Sequence, residues 1–369
     1  MQTLFMELRK LQRAGYSTLV VSLPRNWIRQ SGLKHGDMIS MKDGSDGSLL
    51  LYPKITKEEP KLTAIIVDAE QCTAEGLLSR IITGAYIAGY DLIKVVSRKD
   101  LAEGQLAEIR SATERLTGVG IVERSLKHVT IHSLLEPRKF PVGFLLRKLT
   151  TSVLSMENLV IRSFTIMTPK SLNEVSSMED ELDKMYWLIV RQLVLAVKNK
   201  EIGREIGIEA QTHVLGHRAV ANALEHIGDA LYLIAKELQE VFKSDPSRIK
   251  STAHEIAEYA KFIQNVTENA TNALFSENLK LSNDVIRMEE AASIRSKKLI
   301  EKISLQMEKP TGKSKIATEI DVNFRLRTVL SLLAGIANHG RSIAEVTINR
   351  TLEHENPVCK IEQIPLTGL

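Results

Sequence analysis

Two pairs of acidic residues have the spacing that most directly suggests chemistry. Glu179 and Asp183 are four residues apart, and so are Glu225 and Asp229. On an α-helix this spacing stacks two carboxylates on one face, where they repel each other unless a cation bridges them. Hard or borderline cations such as iron, manganese or zinc suit a cluster of carboxylate oxygens. Acid pairs are also common on solvated helix faces, so the spacing leaves a metal site and a plain polar surface as alternatives.

The second acid pair is predicted to face away from the hydrophobic core. Its helix carries one apolar seam at helical spacing, formed by Val220, Leu224, Ile227, Leu231, Ile234 and Leu238. At 100° per residue, Glu225 lies about 140° and Asp229 about 180° from Val220 around the helix axis. We therefore expect both carboxylates to point towards solvent or into a groove.

Two histidine pairs are weaker candidates for metal ligands. His213 and His217 have the i, i+4 spacing of zinc ligands on a helix, but they fall close to the apolar seam, which favours a structural role. His128 and His132 can share one face of a predicted strand, and no third ligand accompanies them. The chain contains no Ser/His/Asp set, phosphate-binding loop or His-Glu-x-x-His motif, so the prediction is that it is not an enzyme.

Positive charge is concentrated at the N-terminus. Six basic residues stand against Glu7 alone in the first 34 residues, namely Arg9, Lys10, Arg13, Arg25, Arg29 and Lys34. Such clustering suits the phosphate backbone of DNA, because each neutralised phosphate releases counterions. A solvated basic face without a ligand is the alternative.

The elements that position these charges are short. A strand at 17–21 leads into a helix that Pro24 opens and Gly32 closes, the positions that these two residues favour. Segments 38–41 and 48–51 then face each other across the turn at 43–47 and predict a hairpin. A domain this small buries little apolar surface alone, so we expect it to complete its core with a second copy.

The rest of the chain predicts an α/β segment followed by helices. Strands at 62–68, 92–97, 119–123 and 128–132 and helices at 73–88 and 101–116 give the order β-α-β-α-β-β, and a linker is predicted at 58–60. Beyond Pro137 no strand-like alternation remains. Six long helices are predicted at 142–165, 172–200, 209–243, 247–275, 282–307 and 320–349.

Composition narrows the class of protein. The 369 residues carry a net charge of +4, and only two cysteines occur, Cys72 and Cys359, which argues against a disulfide framework. No apolar stretch approaches the ~18 residues that a membrane helix needs, and no signal peptide is recognised. These features predict a cytoplasmic protein without membrane insertion.

The N-terminal motifs resemble a known DNA-binding domain. Residues 5–54, with Leu23-Pro-Arg25 and Gly32-Leu-Lys-x-Gly-Asp37, resemble the AbrB/SpoVT swapped-hairpin domain in its archaeal form. The resemblance implies that two chains interlace into one barrel that contacts double-stranded DNA. The contact residues implied by position are Arg9, Lys10, Arg13, Arg25, Asn26 and Arg29.

The helical half resembles a second family. The six helices form two sets of three, with Leu224-Glu-x-Ile-Gly-Asp229 in the first set, and residues 140–350 resemble the PhoU family of phosphate-homeostasis regulators. That resemblance implies a metal-binding Glu/Asp-x-x-x-Asp motif, here Glu179, Asp183, Glu225 and Asp229. The second set has Glu289…Ser293 and Ala334…Asn338 instead, so we expect at most one metal site.

Together these features predict a multidomain, mainly α-helical chain like archaeal phosphate-uptake regulators. We expect a swapped-hairpin β barrel at 1–57, a small α/β sandwich at 60–136, two tandem three-helix bundles at 138–352 and a tail at 353–369. The predicted function is that of a dimeric DNA-binding transcriptional regulator linked to phosphate uptake. The alternative is an adaptor that docks on a phosphate transporter or sensor kinase through its bundles. Metal storage is disfavoured because the second repeat lacks the acid pairs.

Overall fold

The computed structural model describes residues 7–43, 47–53, 62–244, 246–305 and 313–362. Several predicted features lie outside these ranges: the centre of the hairpin turn, the linker at 58–60, the end of the helix predicted at 282–307 and the end of the tail. The chain divides into two compact units, Met1–Lys61 and Leu62–Leu369.

The first unit consists of two hairpins and one short helix. Strands β1 (Gln12–Ala14) and β2 (Thr18–Val20) pair antiparallel, as do β3 (Ser40–Asp43) and β4 (Leu49–Tyr52). Helix α1 (Arg25–Gln30) lies between the hairpins in the chain.

Pro24 and Gly32 flank the start and the end of α1, as predicted. Pro24 precedes the first helical residue, and its carbonyl accepts a hydrogen bond from the N–H of Ile28 at 3.1 Å. Gly32 has φ +64°, a left-handed conformation that glycine adopts without strain after a helix.

None of the described residues of the first unit is buried. Large apolar side chains are open instead, with exposed fractions of 100% for Tyr16, 64% for Leu19 and 56% for Leu49. The two hairpins form separate two-stranded sheets, and the described residues of one chain do not close a barrel. Because isolated two-stranded hairpins are at best marginally stable in water, this unit needs further apolar cover.

The second unit begins with a four-stranded sheet. Its strands are β5 (Ala64–Asp68), β6 (Leu92–Val96), β7 (Val119–Arg124) and β8 (His128–Ser133), in the spatial order β5-β6-β8-β7. Strands β5 and β6 are parallel and the other pairs are antiparallel. Helices α2 (Leu77–Ile87) and α3 (Glu103–Glu114) pack against it. The predicted element order is therefore correct.

Helix α2 begins later than the predicted Thr73. Gly76 at its N-cap has φ +74°, and the Glu108 carboxylate accepts hydrogen bonds from the N–H groups of Gly76 and Ser79 at 3.1 and 3.0 Å. A carboxylate from α3 thus occupies the positive end of α2, where anions are stabilised.

Within the described ranges seven further helices follow, and they agree with the six predicted ones apart from a short addition. They are α4 (Val142–Ile166), α5 (Asn173–Lys198), α6 (Lys200–Glu205), α7 (Thr212–Ser244), α8 (Pro246–Ser276), α9 (Leu279–Leu305) and α10 (Lys313–Thr351). Helices α4, α5 and α7 pack together, and so do α8, α9 and α10. Contacts between α7 and α10 and between α4 and α8 join both sets into one hydrophobic core. Within the described ranges, no helix is long and apolar enough to cross a membrane.

Helix α6 fills the gap left between the helices predicted at 172–200 and 209–243. The Asn199 side chain accepts hydrogen bonds from the N–H groups of Glu201 and Ile202, which starts a new helical turn. Gly207, with φ +86°, follows its end. An N-cap asparagine is the sequence signal that identifies this helix.

Arg191 ties the α/β segment to the bundle. It is buried on α5 and donates hydrogen bonds to the carbonyls of Tyr86 and Tyr90 near the C-terminal end of α2. Lys198 donates to the Ala88 carbonyl at 2.6 Å. Cations at a helix C-terminus complement its partial negative charge. Trp187 packs against both hydrophobic cores, so the two parts of this unit are firmly joined.

Glu157 is a buried acid where α4 meets α8. Its Oε1 accepts a hydrogen bond from the Thr267 hydroxyl at 2.8 Å, and its Oε2 has no partner. Burial raises the pKa of Glu157 to about 8, with a smaller contribution from the nearby Glu268 charge. The carboxyl is therefore protonated in the folded protein at neutral pH, and ionisation opposes the packing of α4 on α8.

This raised pKa predicts that stability falls with increasing pH. Between pH 4.5 and 8 the unfolded chain releases the Glu157 proton while the folded chain retains it, so each step upward favours unfolding. We expect Glu157→Gln to gain stability relative to the wild type from pH 5 to pH 9, measured by urea unfolding. The control Glu290→Gln changes an exposed carboxyl on α9. A constant difference across this pH range would contradict the assignment.

The exposed apolar residues of the first unit predict association. We expect the full chain to be a dimer in light scattering after size exclusion, and Leu19→Asp combined with Leu49→Asp to shift it towards monomer. Placing carboxylates in a surface that is buried on association is costly. Leu126→Asp, at a 73% exposed position of the second unit, is the matched control. A double variant that remains fully dimeric would show that another surface joins the copies.

Candidate functional site

The packing of α5 on α7 brings the two predicted acid pairs together. Carboxylate oxygens of Glu179, Asp183 and Asp229 lie within 4.8 Å of one another. Gly228 allows this close approach, since a Cβ atom at that position would be 3.0 Å from the Leu182 side chain of α5. Residues from two helices therefore form one group of carboxylates, whereas the four-residue spacing on a single helix brings together only two.

A second group of potential ligands adjoins the first. One atom each from Glu225, His226 and Asp229 also lies within a 4.8 Å span. Asp229 belongs to both groups, so the five residues form a continuous acid cluster with one imidazole. We use the term acid cluster for Glu179, Asp183, Glu225, His226 and Asp229 below.

Partial burial perturbs the carboxyl groups of the acid cluster. Together with the charges of neighbouring acids, a smaller cause, it raises the pKa of Glu179 to about 7 and that of Glu225 to about 7. The pKa of Asp183 is raised by the same two causes. Only 14% of the Glu225 side chain is exposed, so this residue lines a groove and does not project into open solvent. Of the two orientations predicted from helix geometry, Glu225 takes the enclosed one, whereas 45% of the Asp229 side chain is open to solvent.

Few positive charges oppose these acids. His226 Nδ1 lies 2.9 Å from Glu225 Oε2 and 3.9 Å from Asp229 Oδ2. Within the described ranges no lysine or arginine forms an ion pair with the four carboxylates. Arg218 lowers the pKa of Glu225 through its charge, but its guanidinium stacks over the Tyr186 ring at 5.0 Å. Glu225 Oε2 is buried and makes no hydrogen bond of good geometry, so its contact with His226 Nδ1 is an ion pair once the imidazole is protonated.

The donor atoms of the acid cluster fit a divalent metal. Carboxylate oxygens with one imidazole nitrogen suit iron, manganese or zinc. A bound cation would remove the repulsion between the acids and would favour their ionised forms, which lowers their pKa values. Chemically, the arrangement can hold a metal ion in a half-buried groove between two helices.

The corresponding acid of the second repeat is neutralised. Glu289 on α9 pairs with Arg341 on α10 at 3.2 Å, and Arg341 also binds Glu345 at 2.9 Å. An arginine thus occupies the place near this carboxylate that a cation would take. This contrast explains physically why the two repeats differ in potential ligands.

Sequence reasoning missed His226. It lies between Glu225 and Ile227 on α7, and its i, i+3 relation to Asp229 was the available signal. Its ring also lies 5.3 Å from that of His339 on α10, a contact between the two repeats that no local pattern predicts.

The other histidines lie elsewhere. His217 is buried with Nδ1 2.7 Å from the His213 carbonyl, and His213 Nε2 is 3.0 Å from Glu353. His128 lies 3.0 Å from Glu123 and bonds to Ser125, while no group of potential metal ligands in the described residues includes His132. The structure does not bring either pair to the acid cluster.

The basic residues of the first unit are open to solvent. The implied DNA-contact residues are all exposed, and they are Arg9, Lys10, Arg13, Arg25, Asn26 and Arg29. Arg13 belongs to β1, whereas Arg25, Asn26 and Arg29 lie on α1. Arg9 pairs with Glu7, the sole acidic residue among the first 34. The arrangement leaves most of this charge available to an anionic partner.

Comparisons with known proteins identify two domains. Residues 146–238 match the PhoU domain, and residues 12–59 match the domain described as antidote-toxin recognition MazE, bacterial antitoxin. The crystal structure of PhoU from Pseudomonas aeruginosa is similar, with a TM-score of 0.50 and 16% identity over 58% of this chain and 96% of that one. No curated protein gives a significant match. The two domain resemblances and the mainly helical fold class are confirmed.

Removing one charge from the acid cluster is expected to stabilise the metal-free protein and to weaken metal binding. Asp229→Asn removes the charge shared by both ligand groups, so we expect the chelator-treated protein to gain roughly 0.5–1 kcal/mol at pH 8. The same variant should lose bound iron, manganese or zinc in plasma mass spectrometry after purification without chelator. Glu301→Gln, at an exposed position of α9, is the control. Wild-type protein without metal, or a destabilised Asp229→Asn, would count against the site.

Proposed function

We propose that this chain, which joins a MazE/AbrB-like domain to a PhoU domain, is a DNA-binding regulator of phosphate homeostasis. In this proposal two copies associate through the first unit and bind double-stranded DNA. The helical half receives the signal that changes DNA affinity.

The exposed basic residues of the first unit are the observation that carries the proposal. Six basic residues with a single acidic neighbour form a local excess of charge in a chain whose net charge is only +4. Arginine and lysine contacts to phosphates provide most of the affinity for duplex DNA and make it depend on salt. In this proposal Arg9, Lys10, Arg13 and Arg25 are the principal contacts, and Asn26 and Arg29, on α1, are secondary ones.

A symmetric homodimer follows from the missing core of this unit. The described residues of the first unit bury no side chain, and apolar residues such as Leu19 and Leu49 need a partner surface. A second copy supplies that surface and duplicates the basic residues. A twofold protein would then recognise two related half-sites on DNA.

The acid cluster is the proposed metal-binding part of the helical half. Glu179, Asp183, Glu225 and Asp229 would hold iron, manganese or zinc, and His226 supplies a nitrogen ligand. Helices α5 and α7 provide these residues, so occupancy changes how strongly the two helices attract each other. This gives the helical half a way to report a signal.

Fluorescence anisotropy tests the DNA proposal. We expect the full chain to prefer a duplex from upstream of its own gene over a scrambled duplex. In a dimer, Arg9→Ala with Arg13→Ala removes four phosphate contacts, so the slope of log affinity against log salt should decrease in magnitude by about 3 to 4. Arg287→Ala with Lys297→Ala, exposed on α9, removes equal charge from the other unit as a control.

An adaptor predicts the opposite result. If the chain docks on a phosphate transporter or sensor kinase without binding DNA, neither duplex should bind at low salt and the arginine variants should equal the wild type. Equal weakening by both double variants would indicate binding through overall charge and would contradict a DNA site in the first unit.

A further inference from the structure

A cavity of about 350 Å³ lies at one end of the helical half. The start of α7, the end of α10 with Glu353 beyond it, and Leu274 of α8 line it, and Leu215 stands at its open side with 76% exposure. Its apolar wall consists of Leu215, Val220, Leu274 and Val346. His217, which also lines it, precedes Glu225 by eight residues, about 12 Å along α7, so this cavity is separate from the acid cluster.

A buried imidazole marks the polar side of the cavity. His217 is 9% exposed, and its Nδ1 lies 2.7 Å from the His213 carbonyl. A carbonyl can only accept, so Nδ1 carries the proton and Nε2 presents a lone pair. Burial lowers the pKa of His217, which favours this neutral form. The neighbour of Nε2 is the Arg350 guanidinium, 3.4 Å away.

Arg350 is the cation that a ligand would meet. Its Nε lies 3.4 Å from Glu277, in a pair whose side chains are 33% and 49% exposed. Ion pairs at such exposed positions contribute little, so a competing anion can displace Glu277. Glu353, which lines the cavity, is held by His213 at 3.0 Å and by Thr212 at 3.4 Å. The charged group that can exchange its partner for a ligand is therefore the cation Arg350.

The chemistry of the lining selects the class of ligand. An arginine favours a carboxylate, which it binds through two parallel hydrogen bonds. The branched aliphatic wall favours a saturated hydrocarbon body. Apart from the two histidines, the lining residues include no aromatic ring, so the cavity offers no stacking surface for a nucleobase.

We propose that this cavity binds a small aliphatic carboxylic acid. The carboxylate pairs with Arg350, whose guanidinium His217 holds in position, and the hydrocarbon body packs against Leu215, Leu274 and Val346. Because α7, α8 and α10 all contribute, the ligand connects the two three-helix sets at this end of the molecule. A volume of about 350 Å³ lies at the lower end of the range for small-molecule pockets.

Equilibrium dialysis of labelled octanoate against the full chain tests the proposal. We expect one saturable site per chain that Arg350→Gln weakens about tenfold, the loss of one ion pair. Ala219→Phe, at an exposed position on the rim, should block entry without disturbing the core. Arg287→Gln, an exposed arginine on α9, should bind as the wild type does.

Two further probes separate the contribution of the hydrocarbon body of the ligand from that of its carboxylate charge. Octanol, which lacks the carboxylate, and inorganic phosphate, which lacks the apolar body, should each compete at least about tenfold less well than unlabelled octanoate. The proposal would be overturned if no saturable binding occurred, or if the Arg350→Gln and Ala219→Phe variants both bound octanoate as tightly as the wild type does. It would also be overturned if octanol or phosphate competed as well as unlabelled octanoate. Circular dichroism of each variant verifies its fold, and binding lost by Arg350→Gln alone still supports the assignment if Ala219→Phe fails to fold.

Discussion

The apolar seam of α7 is the interaction on which the helical half depends. Its residues from Val220 to Leu238 are essentially excluded from solvent, and they pack against α5 on one side and α10 on the other. Burial of this seam fixes the rotation of α7, which in turn directs Glu225, His226 and Asp229 into the groove beside α5. The same rotation places His217 against α10. Both candidate sites of the helical half are consequences of one packed helix.

The acid cluster exists because packing overrides electrostatics. Burial and neighbouring acids raise the pKa values of Glu179, Asp183 and Glu225, and the charge of Arg218 only partly offsets this at Glu225. In the second repeat, Arg341 neutralises the corresponding acid, Glu289, through an ion pair. A groove that keeps an unfavourable arrangement of charge in one repeat, while its counterpart neutralises it, is typical of a binding site.

Most elements were predictable because they depend on local hydrophobic periodicity and on the residues that begin and end helices. The helix opened by Pro24, the order of the α/β strands and the six long helices all follow from such patterns. The convergence of Glu179 with Asp229, the approach of His339 to His226 and the isolation of Glu157 depend on how distant helices pack. Burial of Glu157 opposite Thr267 has no signature in the sequence, because an isolated glutamate within a helix ordinarily predicts an exposed position.

The two units pose complementary physical problems. The helical half has an extensive core and an excess of negative charge in one groove, whereas the first unit has exposed apolar and basic side chains and no described core of its own. The proposed association of two first units on DNA would resolve both of its deficits at once. Hydroxyl-radical footprinting of the full chain on the duplex upstream of its own gene tests this most directly. Our account predicts two protected segments related by a twofold axis, on one face of the duplex, which disappear together when Arg9 and Arg13 are replaced. A uniform cleavage pattern at saturating protein, or protection that survives these replacements, would contradict it.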